Sequence, residues 1–211
     1  ISNVPFGSYG FVVQDWVRGG QGWKNHLFIH NQYFLRAMDH LRPGGVLAFI
    51  TADGTLDAPE NSHVRDVLAK DMDMLGAVRL PKTAFKENAG TEVVTDIIFL
   101  RKRVPGQGPN GIAWTKTLPM KVPGAAGVEP VDYSVNQYFH DHPEMVLGRH
   151  SMTGTMYGKP NSYTVEPIGD LTASLMAAME KVPAYVIAPS VVAPPTPGST
   201  RVVTSIKDGA Y

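Results

Sequence analysis

The chain has 211 residues, 43% of them hydrophobic and 18% charged, which is enough for a packed core and too few charges for wholesale disorder. Lys+Arg and Asp+Glu both total 19, so bulk charge cannot hold nucleic acid and any such binding needs a local patch. Zero cysteines exclude a disulfide framework, thiolate metal sites and a cysteine nucleophile, and fit a reducing cytoplasm.

Ile1 stands where a start methionine would, so the chain is expected to be a processed product or an excised piece. No charged-then-apolar leader opens it, and secretion is not expected. Ile1-Ser2 runs straight into Asn3-Val-Pro-Phe-Gly7. From Ser8 to Asn25, glycines with Tyr9, Phe11, Trp16 and Trp23 read as a long loop. Leu27, Phe28, Phe34, Leu35, Met38 and Leu41 approximate helical spacing over 26–41, and Arg42-Pro-Gly-Gly45 ends that helix. Val46 to Thr51 is an unbroken apolar run, the pattern of a buried parallel strand and far too short to span a bilayer.

Ser62 reads as the N-cap of a second helix over 63–70. Leu75–Leu80 is a second apolar strand closed by Pro81, 85–90 is a loop, and Glu92–Arg101 is a third strand rich in Val and Ile. The last two strands are close enough in sequence to form a hairpin. Helix–strand–helix–strand order with buried strands predicts an α/β sheet covered on both faces.

Past Val104 the character changes. Pro105–Gly111 is turn-rich, Ile112–Met120 reads as a strand, 122–130 as a loop, and Val135–His140 as a short helix. Leu171–Lys181 is a better helix, with Asp170 or Thr172 near its start. Pro183–Thr200 holds five prolines and reads as an extended linker, followed by Val202–Ile206 entering an Asp208-Gly209 hairpin turn. The expected division is residues 1–104, an extension over 105–183, and a tail over 184–211.

Asn3-Val4-Pro5-Phe6 offers an amide oxygen, a carbonyl and a flat stacking face. Those groups suit an amino group on a planar base, although by residue statistics alone the stretch is a plain turn. It resembles motif IV of the N6-adenine and N4-cytosine DNA methyltransferases. The resemblance extends through 34–50, 76–85 and 88–101, and is similar to the catalytic subunits of type I restriction systems. It is nearer still to the methylase domains of large helicase–methylase proteins of phages and mobile elements, including anti-restriction proteins. Residues 136–148 and Tyr157-Gly158 resemble that branch less specifically.

This resemblance implies an α/β, partial class I (Rossmann-like) methyltransferase fold with a partly irregular C-terminal extension. It implies that the Asn3 side chain and the Val4 carbonyl accept hydrogen bonds from the target N6 amine, with Pro5 stiffening the turn and Phe6 stacking on a flipped base. Phe85 stands where a second aromatic often meets that base, and the loop carrying Lys82 and Lys86 would face DNA phosphates. The implied cofactor is S-adenosylmethionine. Its glycine-rich loop and ribose-binding acid precede motif IV in the family, and neither is in this sequence. The implied partners are DNA, S-adenosylmethionine and other parts of a parent protein. Val4 in place of the family's first proline is a departure. The alternative is a degenerate, non-catalytic methylase module that scaffolds or binds DNA.

Other motifs are weaker. Gly106-Gln-Gly108-Pro-Asn-Gly111 spells G-x-G-x-x-G, but no helix start follows, so Asn110-Gly111 is read as a hairpin turn. His26 and His30, and His140, His142 and Glu144, have the look of metal pairs but lack a second ligand cluster, and no metal site is expected. Arg79, Lys82, Lys86, Arg101, Lys102 and Arg103 bracket the last strands and read as a solvated edge unless they meet DNA.

Overall fold

The structure, a computed structural model, describes residues 1–5, 10–11, 27–89, 92–155 and 160–184. Phe6, the aromatic loop around Trp16 and Trp23, His26, Tyr157-Gly158, and the proline-rich and hairpin segments of 185–211 lie outside the described residues.

Strand β1 (Ser2–Asn3) opens the chain, followed by a short antiparallel pair, β2 (Gly10–Phe11) with β3 (Leu27–Phe28). Helix α1 (Ile29–His40) buries Phe34 and Met38 and exposes Tyr33, Arg36 and Asp39, the split its apolar spacing dictates. It starts three residues later than its spacing suggests. The turn after it needs glycine: Gly44 has φ +74°, and a Cβ on Gly45 would meet the Arg42 carbonyl at 2.9 Å.

Strand β4 (Val46–Ala52) leads through a one-turn α2 (Gly54–Asp57) and a 3-10 turn (Pro59–Asn61) to α3 (Ser62–Asp71). Asn61 occupies the cap position of α3 and Ser62 is already helical, so the expected serine cap is not formed. Strand β5 (Met72–Leu80) is buried at all nine positions and begins three residues before the expected Leu75. A short α4 (Lys86–Ala89) replaces the expected loop, and β6 (Thr95–Lys102) starts three residues after Glu92.

These strands form one sheet in the order β1-β4-β6-β5. β1 and β4 are parallel, with Asn3 opposite Ile50, and β6 runs antiparallel to both neighbours. The hairpin expected between the last two strands is present, and β6 also inserts beside β4. Parallel β1, β4 and β5 therefore end at the same edge of the sheet, where β6 begins.

The extension is more regular than its sequence suggested. Strand β7 (Thr117–Val122) starts later than Ile112 and pairs antiparallel with β8 (Val131–Asn136), whose last two residues the sequence reading placed in a helix. Only Gln137–Asp141 is helical there (α5), capped by Asn136 Oδ1, which accepts from the Tyr138 N–H at 3.0 Å. Strands β9 (Gly148–Gly154) and β10 (Ser162–Pro167) form a second hairpin that local patterning did not reveal. Helix α6 (Leu171–Met179) begins as expected, with Asp170 Oδ1 accepting from the Ala173 N–H at 2.6 Å. Asn110-Gly111 is not a hairpin turn, because β6 and β7 do not pair. The Asn110 N–H instead donates to Asp73 Oδ1 at 3.2 Å.

The extension packs as part of the sheet's own core. Trp114, Val122, Val135, Phe139, Val146, Leu147 and Tyr163 share one buried cluster with Leu47, Val78 and Ile98. The Leu147 N–H donates to the Arg79 carbonyl at 2.9 Å, and the Lys82 N–H donates to Val165 O at 3.0 Å. Burying each large apolar side chain contributes about 1.5–3 kcal/mol, so losing this set exceeds the stability of a typical domain. A fragment ending at Val104 is expected to lose the cooperative urea transition of the 211-residue chain, followed by circular dichroism. A cooperative transition of comparable midpoint in the fragment would mean that the extension is an independent layer.

Candidate functional site

The shared C-terminal edge of β1, β4 and β5 gathers most of the chain's chemistry. Asn3 ends β1 and is exposed, and its side-chain amide has no hydrogen-bond partner among the described residues. Val4 follows as an anchor, 1% exposed, with its N–H donating to the Ile50 carbonyl at 3.1 Å. Pro5 turns outward and is exposed. The burial of Val4 and its backbone bond to β4 fix the chain immediately after Asn3.

Phe85 lies on the same edge, partly buried against the core. Lys82 and Lys86 are both ion-paired. Lys82 Nζ sits 2.8 Å from Glu166, which also accepts from Thr153 Oγ1 at 2.9 Å, and Lys86 Nζ sits 2.7 Å from Glu92 on the surface. Each lysine holds its glutamate below the ordinary carboxylate range. The exposed Lys86–Glu92 pair is weak, so a phosphate can compete for Lys86, whereas the Lys82–Glu166 pair is partly buried. Between this loop and the β9–β10 hairpin lies a cleft of about 160 Å³, walled by Lys82, Glu92, Val94, Thr153 and Tyr163.

Behind the edge lies a buried ionic network that the sequence reading missed. Arg79 is 0% exposed, not part of a solvated edge. Its Nε and Nη2 bind Asp96 in a bidentate fork at 2.8 Å each, and its Nη1 reaches Asp57 Oδ2 at 2.6 Å and Tyr163 Oη at 3.0 Å. The guanidinium also lies 4.2 Å from the Phe139 ring centroid. Burial opposes its charge, but the Asp57 and Asp96 carboxylates raise its pKa well above the ordinary value. Asp57 Oδ1 accepts from the Asn136 N–H, and His150 Nδ1 bonds Tyr163 Oη at 2.7 Å. The available signal was a charge at the end of each apolar run, Arg79 after Leu75–Val78 in β5 and Asp96 before Ile97–Leu100 in β6.

The other basic residues at the opposite edge are also occupied. Arg103 donates to Asp73 Oδ1 at 2.6 Å and to the Ala69, Lys70 and Met72 carbonyls at the end of α3. Lys102 Nζ donates to the Met38 carbonyl at 2.6 Å near the end of α1, and Arg101 lies 3.6 Å from Asp73. Gly106 and Gln107 of the G-x-G-x-x-G stretch line a groove of about 730 Å³ at that edge, away from Asn3. Among the described residues no His, Cys, Asp or Glu group of three or more could hold a metal, and no helix is long and apolar enough to cross a membrane.

The fold is α/β, a partial class I (Rossmann-like) arrangement, on the chain's own strand order, strand direction and crossover helices. No protein-family model matches the chain. It is 29% identical over 103 residues to the defense against restriction protein B of Escherichia phage P1, covering 48% of this chain and 4% of that protein. Solved structures similar to it include a putative class I S-adenosylmethionine-dependent methyltransferase from Listeria monocytogenes, at 22% identity and TM-score 0.40, covering 51% of this chain and 32% of that one. A modification subunit of a putative type I restriction enzyme from Vibrio vulnificus YJ016 matches at 13% identity and TM-score 0.38, covering 84% and 38%. The M protein of the type I restriction enzyme EcoKI matches at 16% identity and TM-score 0.37, covering 74% and 33%.

Burial raises Asp53, at the end of β4, to about 7 from an ordinary 3.8, with Arg79 opposing and Asp57 and Asp96 reinforcing the shift. Folded Asp53 binds more protons than unfolded Asp53 between those values, so its contribution is present at low pH and is lost as pH rises through about 7. His30 and His150, lowered to about 4 mainly by burial, act in the opposite sense and cost stability as pH falls below 6.5. Asp53→Asn is therefore expected to gain on the wild type by on the order of a few kcal/mol between about pH 5 and pH 8, read from urea midpoints. Parallel pH profiles for the two proteins would place the carboxylate outside this network.

Proposed function

We propose that the chain belongs to a DNA methyltransferase that moves a methyl group from S-adenosylmethionine to adenine N6. The observation that supports this best is the placement of Asn3: an exposed amide at the carboxyl edge of a parallel strand, followed by the buried Val4. Ligands of open α/β sheets bind at that edge. In this reading the Asn3 side-chain oxygen and the Val4 carbonyl accept the two hydrogens of the amine, which raises its nucleophilicity and aims its lone pair. The amine then needs no carboxylate base, because the methylated nitrogen sheds its surplus proton to water after the transfer, and positioning supplies most of the remaining acceleration.

S-adenosylmethionine, when bound, supplies the electrophilic methyl. The uncharged, exposed Asn3 amide suits its reactive end. The glycine loop and ribose acid of the family have no counterpart in these residues. Phe6 and Phe85 stack on the extruded base, and Lys82 and Lys86 meet backbone phosphates after releasing Glu166 and Glu92. The phage P1 relative is a defense protein against restriction, which suits a parent acting where DNA is modified.

In the parent protein, Asn3→Ala is expected to lower methyl transfer by on the order of a hundredfold or more while leaving DNA affinity nearly unchanged, because phosphate contacts dominate affinity. Phe6→Ala is expected to be milder, since stacking contributes about 1–3 kcal/mol. A tritiated-methyl assay run beside a binding titration separates the two effects. Near-normal turnover in the Asn3 variant would mean that Asn3 does not act on the amine, and absence of methyl transfer by the parent protein itself would favour the scaffold reading.

A further inference from the structure

The first turn of α1 carries buried polar groups that find no hydrogen-bond partner among the described residues. His30 is 7% exposed and Asn31 is 0% exposed. Neither ring nitrogen of His30 nor Asn31 Oδ1 has a hydrogen-bond partner among the described residues. Phe28 provides no side-chain cap and the first turn holds no acidic residue, so the leading N–H groups have no acceptor of their own. Buried polar groups left in this state cost free energy, and native folds that retain them usually supply water or a ligand.

Their location is fixed by two hydrogen bonds. Asn31 Nδ2 donates to Asn61 Oδ1 at 2.9 Å, and Asn61 Nδ2 donates to the Gly54 carbonyl at 2.7 Å, two residues past the end of β4. The start of α1 thus opens at the same sheet edge as Asn3 and Val4, whose strand pairs with β4 at Ile50. The Phe28 and His30 rings stack with centroids 5.5 Å apart and planes 6° apart, which sets the plane of the imidazole.

The chemistry on offer is uncharged and two-sided. A neutral imidazole presents one donor and one acceptor, the helix turn presents N–H donors, and Asn31 Oδ1 presents an acceptor. A phosphate would find a repelling oxygen and no cation bonded to either side chain. A planar ring edge with both donors and acceptors satisfies the set.

We propose that the first turn of α1, through His30 and Asn31, is a hydrogen-bonding subsite that takes the uncharged edge of an adenine nucleoside. This rests on the methyltransferase reading of the adjoining edge. The imidazole N–H donates to a ring nitrogen, and an N–H or hydroxyl of the ligand donates to Asn31 Oδ1. Two sources carry this chemistry: the adenine of DNA and the adenosine portion of S-adenosylmethionine.

Nitrogen-detected NMR of the histidine rings in the 211-residue chain tests it, with the His30 signals assigned from His30→Gln. The probes are a short adenine-containing single strand, S-adenosylhomocysteine and inorganic phosphate. A saturable shift of the His30 signals is expected with one of the two adenine ligands, weakened at least fivefold in Asn31→Ala, with no response to phosphate. The responding ligand identifies the source. His30 signals unmoved by both adenine ligands, or moved equally by phosphate, overturn the proposal and leave a buried water as the occupant. The titration and the Asn3→Ala assay fail separately: a His30 response with normal turnover in the Asn3 variant leaves a nucleoside-binding module whose methyl transfer does not run through Asn3, whereas a silent His30 with lost turnover leaves a methyltransferase without this contact.

Discussion

One guanidinium removed from water ties the sheet to everything after it. Arg79 belongs to β5, Asp96 to β6, Asp57 to α2 and Tyr163 to β10, so four elements distant in sequence meet at a single charge. Taking these groups out of water is expensive, and a well-packed apolar substitute could match their stability. What the network adds is register. Arg79 sits opposite Asp96 in the β5–β6 ladder, and a one-residue slip would turn the arginine to the other face and leave two buried carboxylates unpaired. Two carboxylates already answer one cation there, and burial raises Asp96 as it does Asp53. The network therefore selects one pairing at the cost of an electrostatic excess, and the burial that raises Asp53 to about 7 keeps a further negative charge out of it below that pH.

The sheet was legible because its strands are apolar runs bounded by glycine and proline. Val46–Ile50 and Ile97–Leu100 sit inside β4 and β6. The extension was not legible, because its strands take their burial from partners far along the chain. Of the β8 positions, Val135 and Asn136 are buried while Val131 and Asp132 are exposed, so no alternation betrays the strand. The β9–β10 hairpin mixes Arg149, Ser151, Thr153 and Thr164, and of these Ser151 bonds Thr153, which donates to Glu166. Local patterning carries no trace of such contacts.

The site was legible to the same partial extent. Asn3-Val4-Pro5 was found by motif, and its position at the carboxyl edge follows from the parallel pairing of β1 with β4. Lys82 was recognised as basic, but its partner Glu166 lies 84 positions away, beyond the reach of any local rule. His30 was considered only as a possible metal ligand beside His26. Its significance lies in burial without a partner, which sequence does not show.

The softest link in this arrangement is β1 itself. Two residues pair it with β4, whereas β4 is held to β6 across seven register positions. The place of Asn3 is consequently set less by its own strand than by the burial of Val4 and the rigidity of β4. β4 in turn leads into α2, whose Asp57 is bound to Arg79 and to the Asn136 N–H. A disturbance in the ionic network thus has a short mechanical route to the exposed amide, through α2 and the end of β4. Substituting Arg79 would then act on Asn3 as well as on stability, and the extension that completes the network is a structural condition for the geometry of the edge.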